Sequence, residues 1–185
     1  MAERVCPWWI GYLLASPIRR WMQDPAKILA PHVREGMIVL EPGPGMGFFT
    51  LELARLAGAS GRVVAVDIQS RMLDGLKRRA AEAGLLDRVD ARLALAESMG
   101  LDDLAGKVDF TLAFAMVHEL PDVGRFFAEV EGASKLGAHL LLIEPNMHVN
   151  AGRFEAELQA AARAGLALVD RPSVPRSLAA LLKKV

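Results

Sequence analysis

A single cysteine, Cys6, stands in 185 residues, so no disulfide can close within the chain and no cysteine-rich metal site can form. Excess charge of either sign is missing too: 22 Lys and Arg balance 22 Asp and Glu, for a formal net charge of zero. Recognition of nucleic acid through a broad electrostatic field needs clustered cations against phosphates, and this balance argues for no nucleic-acid partner. The pairs Arg19-Arg20, Arg78-Arg79 and Lys183-Lys184 read as solvated ends of elements. No apolar run approaches the ~20 residues of a membrane-spanning helix, so integral membrane association is not expected. His32, His139 and His148 lack ligand spacing with other His, Asp or Glu, and no metal is expected. Aromatic residues are few, yet all three tryptophans and the one tyrosine fall within CPWWIGYLLASPIRRW (6–21). Read as a signal peptide, that segment would be cut near Ala15-Ser16. Pro7 and the tryptophans break its apolar centre, and Arg19-Arg20-Trp21 continues an amphipathic pattern, so the expected location is cytoplasmic.

What is present points to a folded domain. Hydrophobic residues make up 52% of the chain, which excludes disorder, and the length suits a single domain over 1–185. Residues 1–30 read as an amino-terminal helical lid, with Asp24 and Pro25 in the positions that start a helix. Over 31–185 strands and helices alternate. MIVLE (37–41), RVVAVD (62–67), VDARLAL (89–95), VDFTLAF (108–114) and HLLLIE (139–144) read as strands. Helices are expected over 48–57, from Ser70 to about Ala83, over 122–134 and over 151–164. Near-continuous apolar strands separated by helices of three turns predict a parallel sheet covered on both faces. The right-handed crossover rule then brings the strand ends carrying Glu41, Asp67, Phe114 and Glu144 to one edge, where such folds bind ligands. The tail differs. LALVDR and SLAALLKKV, joined by RPSVPR, predict an antiparallel return.

The stretch IVLEPGPGMGFFT (38–50) carries the chemistry. Glycine at 43, 45 and 47 lets the main chain turn tightly and lets a ligand touch it, and the following helix offers free N–H groups to an anionic group. Glu41 at the strand end instead calls for a cation or a hydrogen-bond donor. Asp67 lies 20 residues beyond Gly47 at the end of the second strand, where a carboxylate binds a ribose diol. The ligand so described has a ribose, an anionic group and a positive or donor group, with no required pyrophosphate. A nicotinamide dinucleotide would use Asp67 equally well. Its fingerprint, however, calls for glycine where Phe48 stands, and Glu41 would repel its pyrophosphate.

LEPGPGMGFFT followed by VVAVDIQSRML resembles the glycine-rich first motif and the acidic second-strand motif of the class I S-adenosylmethionine-dependent methyltransferases. The resemblance extends over about residues 30–185, through LAES (95–98), VDFTLAFAMVHELPD (108–122), LLLIEP (140–145) and the terminal hairpin. It implies a Rossmann-like α/β fold, a three-layer α/β/α sandwich whose seven-stranded, mostly parallel sheet has strand order 3-2-1-4-5-7-6 and an antiparallel last-placed strand. It also implies S-adenosyl-L-methionine as cofactor, S-adenosyl-L-homocysteine as product and a small-molecule methyl acceptor as partner. Carried over residue by residue, it puts Glu41, Gly43, Gly45 and Gly47 against the methionyl and ribose region and Asp67 on the ribose hydroxyls. Ile68 packs on the adenine, Ala96 and Glu97 form the adenine-edge loop, and Phe114 lines the methyl-donor pocket. Leu95 departs from the pattern, since many relatives carry Asp there; the adenine amino group then falls to backbone or to Glu97.

On the acceptor side, His118 follows the fourth strand where many small-molecule methyltransferases carry a histidine. It is the candidate catalytic residue, as base or orienting group. A base is required only where the acceptor loses a proton. Glu144-Pro145-Asn146 closes the fifth strand near it. FAMV (114–117) occupies the place where nucleobase amino-methyltransferases carry an Asn/Asp-Pro-Pro-aromatic motif, which argues against DNA. Trp8, Trp9, Tyr12 and Trp21 read either as lid contacts to an acceptor or as packing onto the sheet edge, a homodimer interface being a further reading. The expectation is a methyltransferase; the alternative from another class is a protein that binds the cofactor without turnover.

Overall fold

The computed structural model describes residues 23–95 and 97–185. The tryptophan-rich segment and Ala96 therefore lie outside the described residues. Two compact units divide the rest, one reaching Gly100 and the other running from Leu101 to Val185.

In the first unit a one-turn helix α1 (Pro25–Leu29) starts as the sequence foretells. Pro25 occupies its first turn and the Asp24 side chain accepts from the Ala26 N–H. Strand β1 (Ile38–Pro42) leads to helix α2 (Thr50–Ala57), and β2 (Arg62–Asp67) leads to α3 (Ser70–Glu82) and β3 (Val89–Leu93). β1 and β2 are parallel in the register Leu40↔Val64 and Glu41↔Ala65, and β2 and β3 are parallel with Asp67 opposite Leu93. Val63, Val64 and Ala65 are fully buried, as expected of a strand covered on both faces. The sequence reads Ser70 as the cap of α3; it is instead the first helical residue, and Gln69 takes the cap position.

In the second unit β4 (Val108–Phe114), a 3₁₀ turn (Val117–Glu119) and α4 (Val123–Ala133) precede the long strand β5 (Ser134–Pro145). Helix α5 (Ala151–Arg163) and the hairpin β6 (Leu166–Asp170) and β7 (Ser177–Lys184) follow. The Asp122 side chain caps α4 by accepting from the Arg125 N–H. Strand β5 begins five residues before its apolar run. Ser134 anchors this start by donating its hydroxyl to the Val130 carbonyl, and Gly137 takes φ +80°, so the early strand is irregular in a way that reads as a loop. Lys184 is not a solvated end: its Nζ donates to the Glu131 and Ser134 carbonyls and pairs with the Glu131 carboxylate at 2.9 Å. Phe127 on α4 and Phe154 on α5 are almost completely buried, each worth roughly 1.5–3 kcal/mol of burial.

β4 and β5 are parallel, with Phe114 opposite Ile143, while β7 is antiparallel to both β5 and β6. The seven strands follow the order β3-β2-β1-β4-β5-β7-β6, with helices packed on them. This is the expected topology, including the antiparallel last-placed strand. Among the described residues no helix is long and apolar enough to cross a membrane.

Candidate functional site

The first unit builds a carboxylate-rimmed loop. β1 delivers Glu41 to its end with only 3% of the residue exposed. Its Oε2 atom is buried and has no hydrogen-bond partner; neither has Thr50 Oγ1. Burial pushes the Glu41 carboxyl up to about 8; proximity to Thr50 opposes this and the nearby Asp67 charge adds to it. The main chain then turns through Gly43, Gly45 and Gly47, all at positive φ. A Cβ on Gly45 would meet nothing within 4 Å, so there is open space beside this part of the backbone. At Gly47 a Cβ would fall 2.4 Å from Leu76, so glycine there answers to close packing as well as to a φ of +83°.

Asp67 ties the loop to the end of β2. Its Oδ2 accepts from the Gly45 N–H at 3.3 Å and its Oδ1 from the Gln69 N–H at 2.8 Å. Burial raises its pKa, and these backbone donors pull the other way. Each carboxylate oxygen keeps a lone pair for a further donor. Beside it, the Ala94 N–H donates to the Asp67 carbonyl, and Ile68, Leu93 and Leu95 are large apolar side chains left more than half exposed. Exposed apolar surface next to a buried acid is the expected mark of a flat apolar ligand group. Leu95 and Ser98 pair across a tight turn that exposes Glu97.

Arg79 belongs to this loop as well, although as half of Arg78-Arg79 it reads as solvated. Its Nη1 donates to the Met46 carbonyl at 2.5 Å. The cause is helix geometry: Gly75, Leu76 and Arg79 present one face of α3, and Gly75 leaves room for the Met46 side chain, which a Cβ would approach at 3.0 Å. A glycine four residues before an arginine on an amphipathic helix was the available signal.

The second unit builds an imidazole–carboxylate pair. β4 ends at the half-buried Phe114, and Ala115 takes φ +53° as its N–H donates to the Ile143 carbonyl. The chain then enters the 3₁₀ turn that holds His118. Glu144, at the matching end of β5, is fully buried. Its Oε1 accepts from the Val117 N–H at 2.8 Å and the His118 N–H at 3.3 Å, and its Oε2 lies 2.5 Å from His118 Nδ1. Burial raises the Glu144 carboxyl to about 7, the two backbone donors and Arg153 opposing this and Glu119 reinforcing it. Burial lowers His118, with Glu119 raising it and Arg153 lowering it. Low polarity thus disfavours a full ion pair. The Nε2 edge of His118 lies 4.0 Å from Glu119 Oε1, and the His148 ring stacks on the imidazole at a centroid distance of 5.8 Å. Among the described residues no cluster of three or more His, Cys, Asp or Glu could hold a metal.

A strand order of this kind, with a glycine-rich loop after β1 and a carboxylate ending β2, defines a class I S-adenosylmethionine-dependent methyltransferase. The family model described as methyltransferase domain matches residues 40–142, more than half of the chain, and the chain belongs to that family. It is 31% identical over 119 residues to the ubiquinone/menaquinone biosynthesis C-methyltransferase of Idiomarina loihiensis, covering 64% of this chain and 47% of that protein. The corresponding Brucella canis enzyme is 27% identical over 126 residues, covering 68% of this chain and 46% of that one. The chain thus spans about half the length of the curated relatives it matches. Among solved structures, an S-adenosylmethionine-dependent methyltransferase from Aquifex aeolicus superposes with a TM-score of 0.87 at 24% identity, covering 98% of this chain and all of that one. The geranyl diphosphate C-methyltransferase of Streptomyces coelicolor, solved with S-adenosylhomocysteine, shares the fold at a TM-score of 0.72 and 17% identity, covering 86% of this chain and 78% of that one.

S-adenosylmethionine is the cofactor of this class, and the first unit fits it. A buried carboxylate oxygen without a partner suits a cationic or donor group, and the open space beside Gly45 lets a ligand reach the backbone. A stability test follows from Glu41. Its folded pKa lies above its unfolded value near 4.5, so the folded state binds more protons between pH 4.5 and about 8, and stability falls as pH rises through that window. Glu41→Gln should therefore melt near wild type at pH 5 and clearly higher at pH 8.5, the gain bounded by about 5 kcal/mol. Thermal denaturation of the ligand-free protein at the two pH values checks this.

Proposed function

We propose that this protein transfers a methyl group from S-adenosylmethionine to a small-molecule acceptor that loses a proton in the reaction. The observation that carries the proposal is the His118–Glu144 pair. An in-line displacement at a sulfonium methyl needs no base of its own, so a buried carboxylate that orients an imidazole indicates an acceptor with a proton to give up. Acidic carbon and phenolic oxygen centres both qualify. The matched relatives named as C-methyltransferases favour carbon.

In this reading Glu41 and the backbone of Gly43–Gly47 take the methionyl end of the donor. Asp67 accepts from the ribose hydroxyls, and Ile68 covers the adenine face. When bound, the donor supplies an electrophilic methyl group. Once ionised, Glu144, oriented by the Val117 and His118 N–H groups, fixes the proton of His118 on Nδ1 and leaves Nε2 free to accept one from the acceptor. Labelled S-adenosylmethionine incubated with a panel of phenolic, quinol and allylic acceptors tests the proposal. Transfer of label to one acceptor, abolished in His118→Ala with S-adenosylhomocysteine binding intact, is the expected result. Full transfer in that variant would falsify the base assignment.

A further inference from the structure

Beside the His118–Glu144 pair, helix α5 carries a half-exposed arginine and a buried glutamate that the proposed reaction does not use. Arg153, in the first turn of α5, donates from Nη2 to the His118 carbonyl at 2.5 Å. Its Nε lies 3.7 Å from Glu157 Oε1, one turn further along the helix. Asn150 holds this arginine in place by capping the helix, accepting from the Arg153 N–H at 2.9 Å. Glu157 is 4% exposed, and neither of its carboxylate oxygens makes a hydrogen bond. A buried acid left so bare, between Phe154 and Leu158 on the packed face of the helix, contributes nothing to stability that an apolar residue would not supply better.

We infer that Arg153 and Glu157 are positioning residues that act through His118 and Glu144, Arg153 favouring the anionic state of the pair and Glu157 restraining it. The pair can accept a proton at Nε2 only once it carries one negative charge, with Glu144 ionised and the imidazole neutral. A guanidinium bound to the backbone of His118 stabilises that charge, and the Glu157 carboxylate, 3.7 Å from that guanidinium, offsets it. The two together set the pH at which the base becomes available. The other groups facing the imidazole are Glu119 on its own turn and His148 stacked on its ring. Burial pushes Glu157 up to about 7, with the Glu144 charge adding to this and Arg153 opposing it, and burial likewise raises Glu144 to about 7.

The inference rests on reading His118 as the acceptor-side base, and its test is independent of any acceptor. The ring resonances of His118 are followed against pH by NMR in the full chain carrying nitrogen-labelled histidine. Arg153→Ala should move the titration midpoint upward by about half to one pH unit, and Glu157→Gln should move it downward by a similar amount. Arg153→Lys, which keeps the charge, should return the midpoint towards wild type. A structural role alone would not produce opposite shifts from two neighbours on one helix. Shifts in the same direction, no shifts, or a lysine variant that follows the alanine variant would overturn the inference. Loss of transfer in His118→Ala alongside unmoved midpoints removes this inference alone; retained transfer alongside opposite shifts overturns the base reading and with it the role of the two residues in the reaction, leaving only their electrostatic coupling to His118.

Discussion

Asp67→Ala should weaken S-adenosylhomocysteine binding by about 10²–10³-fold, measured by calorimetry, while the protein still folds. Two losses combine. The carboxylate that would accept from the ribose diol is gone, and hydrogen bonds to a charged group contribute about 1.5–3 kcal/mol each. The Gly45 and Gln69 N–H groups also lose their acceptor, so the loop is no longer tied to the end of β2. Asp67→Asn separates the two effects. Its one carbonyl oxygen can keep a single backbone donor, and the expected loss is about tenfold. A melting experiment gives the same answer in another form. At a ligand concentration one hundred times the wild-type Kd, binding stabilises the wild type by about 2.7 kcal/mol, whereas a variant weakened a hundredfold gains about 0.4 kcal/mol. Equal ligand-induced stabilisation of wild type and Asp67→Ala would remove Asp67 from the site.

The placement of Asp67 beside the glycine loop was legible because it follows from the order of the strands. A strand of buried valines ends in an acid, and the acid serves the loop that follows the preceding strand. Parallel pairing between β1 and β2 then fixes their relative position. The same logic made the positions of Glu41 and the glycines at the end of β1 readable. What escaped the sequence depends on contacts between distant elements. Arg79 reaches the Met46 carbonyl across 33 residues, and its neighbour Arg78 made the pair look like a solvated helix end. His118 and Glu144 were each visible as strand-end candidates, but their pairing follows from the β4–β5 register, which sets Phe114 beside Ile143 and so brings the next few residues of both chains together. Arg153 and Glu157 left only a faint trace, a glutamate placed between Phe154 and Leu158 on the apolar stripe of a helix. Helical periodicity shows that such a residue is buried. It does not show against what. The early start of β5 was hidden for a different reason: Ser134, Lys135 and Gly137 have loop chemistry, and of these three only Ser134 is registered against β4, opposite Val108, before the register shifts.

Glu144→Gln should lower turnover by about 10²–10⁴-fold while leaving S-adenosylhomocysteine affinity near wild type. When ionised, the carboxylate can receive three donors: the Val117 N–H and the His118 N–H on Oε1, and His118 Nδ1 on Oε2. Glutamine has a single acceptor oxygen. If that oxygen keeps the two backbone donors, as the fixed 3₁₀ turn requires, the amide NH₂ is left facing Nδ1. An NH₂ group cannot accept, so the imidazole must present its Nδ1 lone pair and carry its proton on Nε2. The base is then blocked at the atom that should receive the proton, with the fold unchanged. Shape is conserved and charge is removed, so the defect should lie in kcat rather than KM. The pH profile adds a sign. In the wild type the pair must lose a proton before Nε2 can act, so activity should rise with pH through about 7, where burial holds Glu144. In Glu144→Gln that rise should flatten, because the carboxyl whose ionisation releases the base is absent. A glutamine variant with wild-type turnover and an unchanged acid limb would show that Glu144 merely fills the end of β5 and that His118 acts, if it acts, without it.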